Sequence, residues 1–178
     1  MGFSPTVSKP RALAASLKTY IQTMEIESKI VGQLKSVDFD EDFYESEPFP
    51  IPYFDNRKIK ICFVESRHEP YLVGADNAIQ TFLKLNNEDR FKDSQMVKNY
   101  YDQTLKFGYT QPLSIKDNED IWNFVHPSEI IISWDEKGDF YVVVSAGCDW
   151  EEEHGLQLVF PSGQKLTRAS GHDGHYED

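Results

Sequence analysis

Four short runs of β-branched, aliphatic and aromatic residues fill most of the stretch from residue 129 to residue 170, and the joints between them are short. Residues 129–134 and 140–146 flank Asp-Glu-Lys-Gly-Asp, a five-residue hairpin connection that contains glycine. Residues 156–160 and 165–170 flank Pro-Ser-Gly-Gln. Locally joined strands of this length have no room for crossover helices, so they are expected to pair antiparallel as a four-stranded meander. A sheet must bury one face, and the rest of the chain has to supply the cover.

The cover is legible upstream. Ala75, Ala78, Ile79, Phe82 and Leu83 fall on one side of a helix that is expected to end near Asn86-Asn87. Met96, Val97, Tyr100, Tyr101 and Leu105 repeat the spacing up to Gly108, a natural helix terminator. A short third piece is expected over 118–124, with Trp122 turned inward and Pro127 ending it. Residues 51–54 and 58–65 read as strands, the second because Ile59, Ile61 and Phe63 alternate with Lys58, Lys60 and Cys62. Leu13, Leu17, Tyr20, Ile21 and Met24 lie on one helical face behind Pro10, and the pattern shifts at Ile30, Val31 and Leu34. Strand pairs, then helices, then a meander indicate an α+β fold: an antiparallel sheet packed by helices from the N-terminal and middle segments. The expected organisation is a helical segment over residues 1–37, packed on a single domain over 38–178. At 178 residues the chain is of one-domain size.

Charge narrows the partners. The net charge of −12 resolves into +3 on residues 1–37 and −15 on the remainder. Such a body repels phosphate backbones, so no nucleic-acid partner is expected, and it attracts a basic protein. No apolar run approaches the roughly 18 residues of a spanning helix, so no membrane partner is expected. The start of the chain lacks the charged n-region and apolar h-region of a secretory signal, and the two cysteines are far apart, which together suggest a cytoplasmic protein. The acidic, aromatic stretch 38–50 reads as a surface connector, with Phe39, Asp40, Glu41, Asp42, Phe43 and Tyr44 as candidate contacts for a basic partner.

The densest polar cluster is Cys148-Asp149-Trp150-Glu151-Glu152-Glu153-His154-Gly155, followed by His172-Asp173-Gly174-His175. These are metal-ligand types, and His154, His172 and His175 form one alternative reading, a metal-binding domain or metal-dependent enzyme. Against it, no Cys-x-x-Cys or His-Glu-x-x-His spacing occurs. Cys148 beside His154 is a poor nucleophile, because the neighbouring carboxylates raise a thiol pKa. No phosphate-binding glycine motif and no Gly-x-Ser-x-Gly is present. The reading is non-enzymatic and needs no cofactor.

The stretch Cys-Asp-Trp-Glu-Glu-Glu-His-Gly-Leu-Gln-Leu-Val-Phe and the later Asp-Gly-His, with Ile51-Pro52-Tyr53-Phe54 and Trp122-Asn123-Phe124-Val125 upstream, resemble a bacterial domain family of unassigned function. That family is marked by Trp-Glu-x-Glu-His-Gly-Leu after a strand and a C-terminal Asp-Gly-His. The resemblance spans roughly residues 44–175. It singles out Trp150, Glu151, Glu153, His154, Gly155, Asp173, Gly174 and His175, which are expected to serve architecture. The family follows Asp-Gly-His with an apolar residue and threonine, where this chain has Tyr176-Glu177. By analogy with small acidic domains of this sort, the resemblance implies a binding or regulatory role of the immunity type.

Overall fold

The computed structural model describes residues 26–37, 40–64, 69–108 and 110–177, with the side chains of residues 40–42 and 69–70 outside that description. The amphipathic face expected over residues 13–24 lies outside the described residues. Among the described residues nine strands form one mostly antiparallel open sheet: β1 Ile26–Ser28, β2 Gly32–Val37, β3 Asp40–Ser46, β4 Phe49–Ile51, β5 Arg57–Val64, β6 Val125–Trp134, β7 Phe140–Cys148, β8 Glu151–Pro161 and β9 Arg168–Ser170. Their order across the sheet is β1-β2-β3-β5-β6-β7-β8-β9, with β4 paired to β5. The described residues also form two helices, α1 Glu69–Phe82 and α2 Asn87–Lys106, and two 3-10 helices, Pro52–Phe54 and Asn118–Phe124. The fold is α+β.

Several local expectations are corrected. Residues 26–37, assigned to a helical segment, form the β1–β2 hairpin instead, with Ile26 opposite Leu34 and both side chains buried. Spacing misleads there because the hairpin turn at residues 29–31 shifts the apolar pattern out of phase. Ser28 anchors the turn: its Oγ accepts from the N–H groups of Ile30 and Val31 and donates to Asp76 Oδ1 on α1 at 2.5 Å. The connector 38–50 contains β3, an interior strand held between β2 and β5. Residues 52–54 turn rather than extend, since Pro52 supplies no ladder donor and opens a 3-10 helix. Asn86, expected near the end of α1, caps the start of α2: its Oδ1 accepts from Glu88 N–H while Asp89 Oδ2 accepts from Asn86 N–H.

The pair β5–β6 is parallel, with Ile61 opposite Ile130 and Phe63 opposite Ile132. A parallel pair requires a crossover, and α1, α2 and the 3-10 helix Asn118–Phe124 are that crossover. Tyr71 on α1 fastens it, accepting from Val64 N–H at 2.9 Å and donating to Ile132 O at 2.6 Å. Strands β6, β7, β8 and β9 are consecutive antiparallel neighbours. Ile59, Ile61, Phe63, Ile130, Ile132, Val142, Val144, Leu156, Leu158 and Phe160 all belong to the main core. At its centre Tyr53 meets the rings of Phe54, Trp122 and Phe160 edge-on. On the opposite face a smaller cluster of Tyr141, Val143 and Val159 is covered by Tyr176 from the C-terminal segment. Tyr176 stacks on Tyr141 with ring centroids 5.0 Å apart.

Gly163, in the β8–β9 connection, has φ +70° and lies against α1 so closely that a Cβ would stand 2.1 Å from Ala78 O and 2.9 Å from Phe82 N. Both obstacles are backbone and cannot rotate away. Gly138 has φ +86° and open space around it. Gly163→Ala should therefore lose about 2–4 kcal/mol in urea denaturation, combining left-handed strain and overpacking, whereas Gly138→Ala should lose only the strain, about 1–2 kcal/mol.

Candidate functional site

Strands β7 and β8 pair in register down to Ala146 opposite Leu156, then resume at Cys148 opposite Glu151. Between these pairs the four residues 152–155 stand against the single residue Gly147, and the three extra residues make an enlarged bulge. Gly155 permits this, with φ +59° and its Cα so near the partner strand that a Cβ would come 2.7 Å from Ala146 O. Glu151 holds the bulge from inside: Oε1 accepts from the N–H groups of Glu153 at 3.1 Å and His154 at 3.2 Å. Two outside elements grip it. The Tyr100 hydroxyl of α2 donates to Gly155 O at 3.1 Å, and His172 N–H donates to His154 O at 3.0 Å.

Trp150 roots the bulge in the core. It is 1% exposed and the largest fully buried side chain among the described residues, edge-on to Tyr100 and Tyr101 of α2. Its Nε1 is buried without a hydrogen-bond partner, a cost the ring's apolar burial has to exceed. Cys148 lies beneath, its thiol pushed up to about 12, chiefly by burial. Cys62 on β5 is also pushed up to about 12 by burial and by the Glu129 carboxylate. Neither is a thiolate at neutral pH, so neither is placed for nucleophilic chemistry.

The three candidate imidazoles are engaged separately. His154 is exposed, with Nδ1 3.5 Å from Glu151 Oε1. His172 Nε2 is 3.2 Å from Ser145 Oγ. His175 contributes its backbone, its N–H donating to Asp173 Oδ1 and its carbonyl accepting from Gln157 Nε2 and Arg168 Nη1. Among the described residues no three His, Cys, Asp or Glu side chains gather so as to hold a metal ion. Asp173 instead forms a two-pronged pair with Arg168, at 2.9 and 2.5 Å. Gly174, at φ +76°, turns the chain beyond it.

Of the candidate partner contacts on residues 39–44, the side chains of Phe43 and Tyr44 are described. Phe39 lies outside the described residues, as do the side chains of Asp40, Glu41 and Asp42. Phe43 is half-buried, and Tyr44 is a core residue at 5% exposure, which corrects its assignment as a surface anchor. Period-two alternation along β3 puts Tyr44 on the inner face with Ser46, a pattern hidden in sequence by the run of acids around it.

What sequence reasoning missed is a pair of hollows that meet at the bulge. The larger, about 830 Å³, runs between residues 149–154 on one side and Gly108 and residues 110–113, beyond α2, on the other. The smaller, about 250 Å³, lies between the last turns of α2 and residues 171–173. Glu151 and His154 line both. Asp149, Glu151, Glu152, Glu153 and Asp173 line one or the other, and among the described residues no Lys or Arg does. The carboxylates differ in their commitments: Arg168 holds Asp173, Asp149 Oδ1 is 2.6 Å from His126 Nε2, Glu151 is taken up by the bulge, and Glu152 and Glu153 face solvent.

The model of one protein family, described as a domain of unknown function (DUF6985), matches residues 31–176. No curated protein and no solved structure matches the chain.

Trp150→Ala should cost about 3–5 kcal/mol, because a large core ring is removed, while His154→Ala should change stability by less than about 0.5 kcal/mol, its side chain being solvent-exposed. Chemical denaturation of the two variants tests the contrast. A second expectation concerns pH. The Arg168 guanidinium holds the Asp173 carboxyl down to about 2, so the pair stabilises the fold above the ordinary carboxylate range and loses that contribution as pH falls from about 4 towards 2. Melting temperatures measured across this window should fall less steeply for Asp173→Asn than for the unmodified chain.

Proposed function

Since the chain belongs to the DUF6985 family, whose function is unassigned, we propose a role drawn from its own surface: a non-enzymatic, cytoplasmic binding or regulatory protein of the immunity type that engages a basic protein. The observation carrying this reading is the acidic groove at the β7–β8 bulge, where Asp149, Glu151, Glu152 and Glu153 line a hollow of about 830 Å³ and no Lys or Arg lines it among the described residues. The chain's net charge of −12 reinforces it at long range. A potential of one sign steers an oppositely charged partner during diffusion, and a concave site concentrates that field. Raised thiol pKa values at Cys62 and Cys148 favour binding over thiol catalysis.

The architecture suits this use. Glu152 and Glu153 sit on a bulge fixed at its root by Trp150, at its neck by Glu151 and at its sides by Tyr100 and His172. Carboxylates held on a rigid support lose little freedom when a cation docks, so more of the attraction survives as affinity.

A basic protein captured on the immobilised chain and then purified should bind with an association rate that falls at least about tenfold between 50 and 500 mM salt. The double reversal Glu152→Lys with Glu153→Lys should lower that rate by a similar factor and leave the melting temperature within a few degrees. Stopped-flow association kinetics measure both. A rate indifferent to salt and to the reversal would sink the electrostatic reading.

A further inference from the structure

Resting on the reading of a basic partner, we propose that the acidic groove is gated by pH: it holds a cationic segment at neutral pH and releases it when His126 and His154 take up protons. Each imidazole is set against a carboxylate of the groove. His126 opposes Gly147 across the β6–β7 ladder, and Asp149 N–H donates to Phe124 O at 3.1 Å, which brings the Asp149 carboxylate to the ring, Oδ1 2.6 Å from Nε2. His154 is held by its main chain, its N–H donating to Glu151 Oε1 at 3.2 Å and its carbonyl accepting from His172 N–H at 3.0 Å. Its ring lies beside the same carboxylate, Nδ1 3.5 Å from Oε1, and lines both hollows. Both imidazole side chains are more than half exposed, so a proton reaches them without unfolding.

Histidine is the side chain whose ordinary titration falls between about pH 5 and 8, whereas carboxylates ordinarily ionise near about 4 and lysines near about 10.4. The other groups at this corner come from several elements. Asp149, Glu151, Glu152 and Glu153 supply the negative charge of the larger hollow. Across it, Gly108, Thr110, Gln111, Pro112 and Leu113 bring no ionisable side chain, and Lys106 in the last turn of α2 lies outside both linings. Burial keeps the Tyr100 hydroxyl of α2 protonated and the Cys148 thiol beneath neutral. Asp173 is committed to Arg168 of β9, and His172, beside Ser145, adds a third imidazole of the same sign on the smaller hollow. Protonating His126 and His154 therefore sets two positive charges against four carboxylates and halves the pull on a cation. Affinity for a basic segment is greatest above the ordinary histidine range and falls as pH drops through it.

The probe is a capped pentalysine peptide, whose charge is constant over the range, titrated by NMR into the full chain at low salt. Its affinity should fall about tenfold from about pH 7.5 to about pH 5.5, a factor of about three for each added imidazolium at water-like screening. The double variant His126→Gln with His154→Gln should bind the peptide at the higher pH as the unmodified chain does and weaken by less than about threefold at the lower. A glutamine amide can still donate to Asp149 without a titrating proton, so the melting temperature should stay within a few degrees. A second measurement needs only the unmodified chain: by reciprocity, saturating peptide should lower the protonation midpoints of the His126 and His154 rings, read from their imidazole shifts, by more than that of His175. Binding indifferent to pH, a pH dependence that persists in the double variant, or imidazole midpoints that do not move would overturn the gate while leaving the basic-partner reading intact. Failure of the peptide to bind at the higher pH and low salt would remove that reading and the gate with it.

Discussion

Two neighbouring strands that run the same way cannot be joined by a turn, and in this chain that constraint falls on β5 and β6 at the middle of the sheet. The connection must leave one end of β5 and return to the opposite end of β6. Here it does so as two helices and a 3-10 turn, long enough to cover the inner face on the way. The inner-facing residues of β5 to β8 can be uniformly apolar because this cover exists. Tyr71, hydrogen-bonded to both parallel strands, makes the start of the crossover part of the sheet rather than a lid resting on it.

The location of the groove follows from the same crossing. Because α2 ends beside the β7–β8 connection, Tyr100 and Tyr101 meet Trp150, and Tyr100 also holds the carbonyl of Gly155. The bulge is thus propped outward by a helix and pinned from behind by a buried indole. The residue types of the 149–155 stretch divide accordingly. Trp150, Glu151 and Gly155 turn inward or complete the backbone's hydrogen bonds, and Glu152, Glu153 and His154 are left at the surface. A stretch that looks chemically uniform in one dimension is two-sided in three.

The C-terminal segment performs a matching task on the other face. Arg168 binds both oxygens of Asp173 and the carbonyl of His175, and Gln157 reaches the same carbonyl. Tyr176 then covers Tyr141 and hydrogen-bonds Ser133. Exposed ion pairs contribute little on their own, but this one fixes the path of a segment that shields apolar sheet surface. The histidines of the segment are spread along its course: His172 beside Ser145, and His175 acting through its main chain.

Local chemistry determined much of this protein in advance. The α+β class, the helical stripe around Val97 and Tyr101, the 3-10 piece at Asn118–Phe124 and the turn at residues 135–139 all depend on neighbours in sequence, where periodicity and turn preferences operate. Trp150 follows the same local logic, since a large ring just beyond an apolar strand has one good destination, the core. Three features were decided only by tertiary structure: the parallel pairing of β5 with β6, the use of residues 26–37 and 40–46 as sheet, and the hollows at the bulge. Each depends on partners far away along the chain. A strand's neighbour is chosen by where the crossover returns, Tyr44 is buried by a sheet its own sequence does not reveal, and a hollow exists only once α2, the bulge and the C-terminal turn have been brought to the same corner.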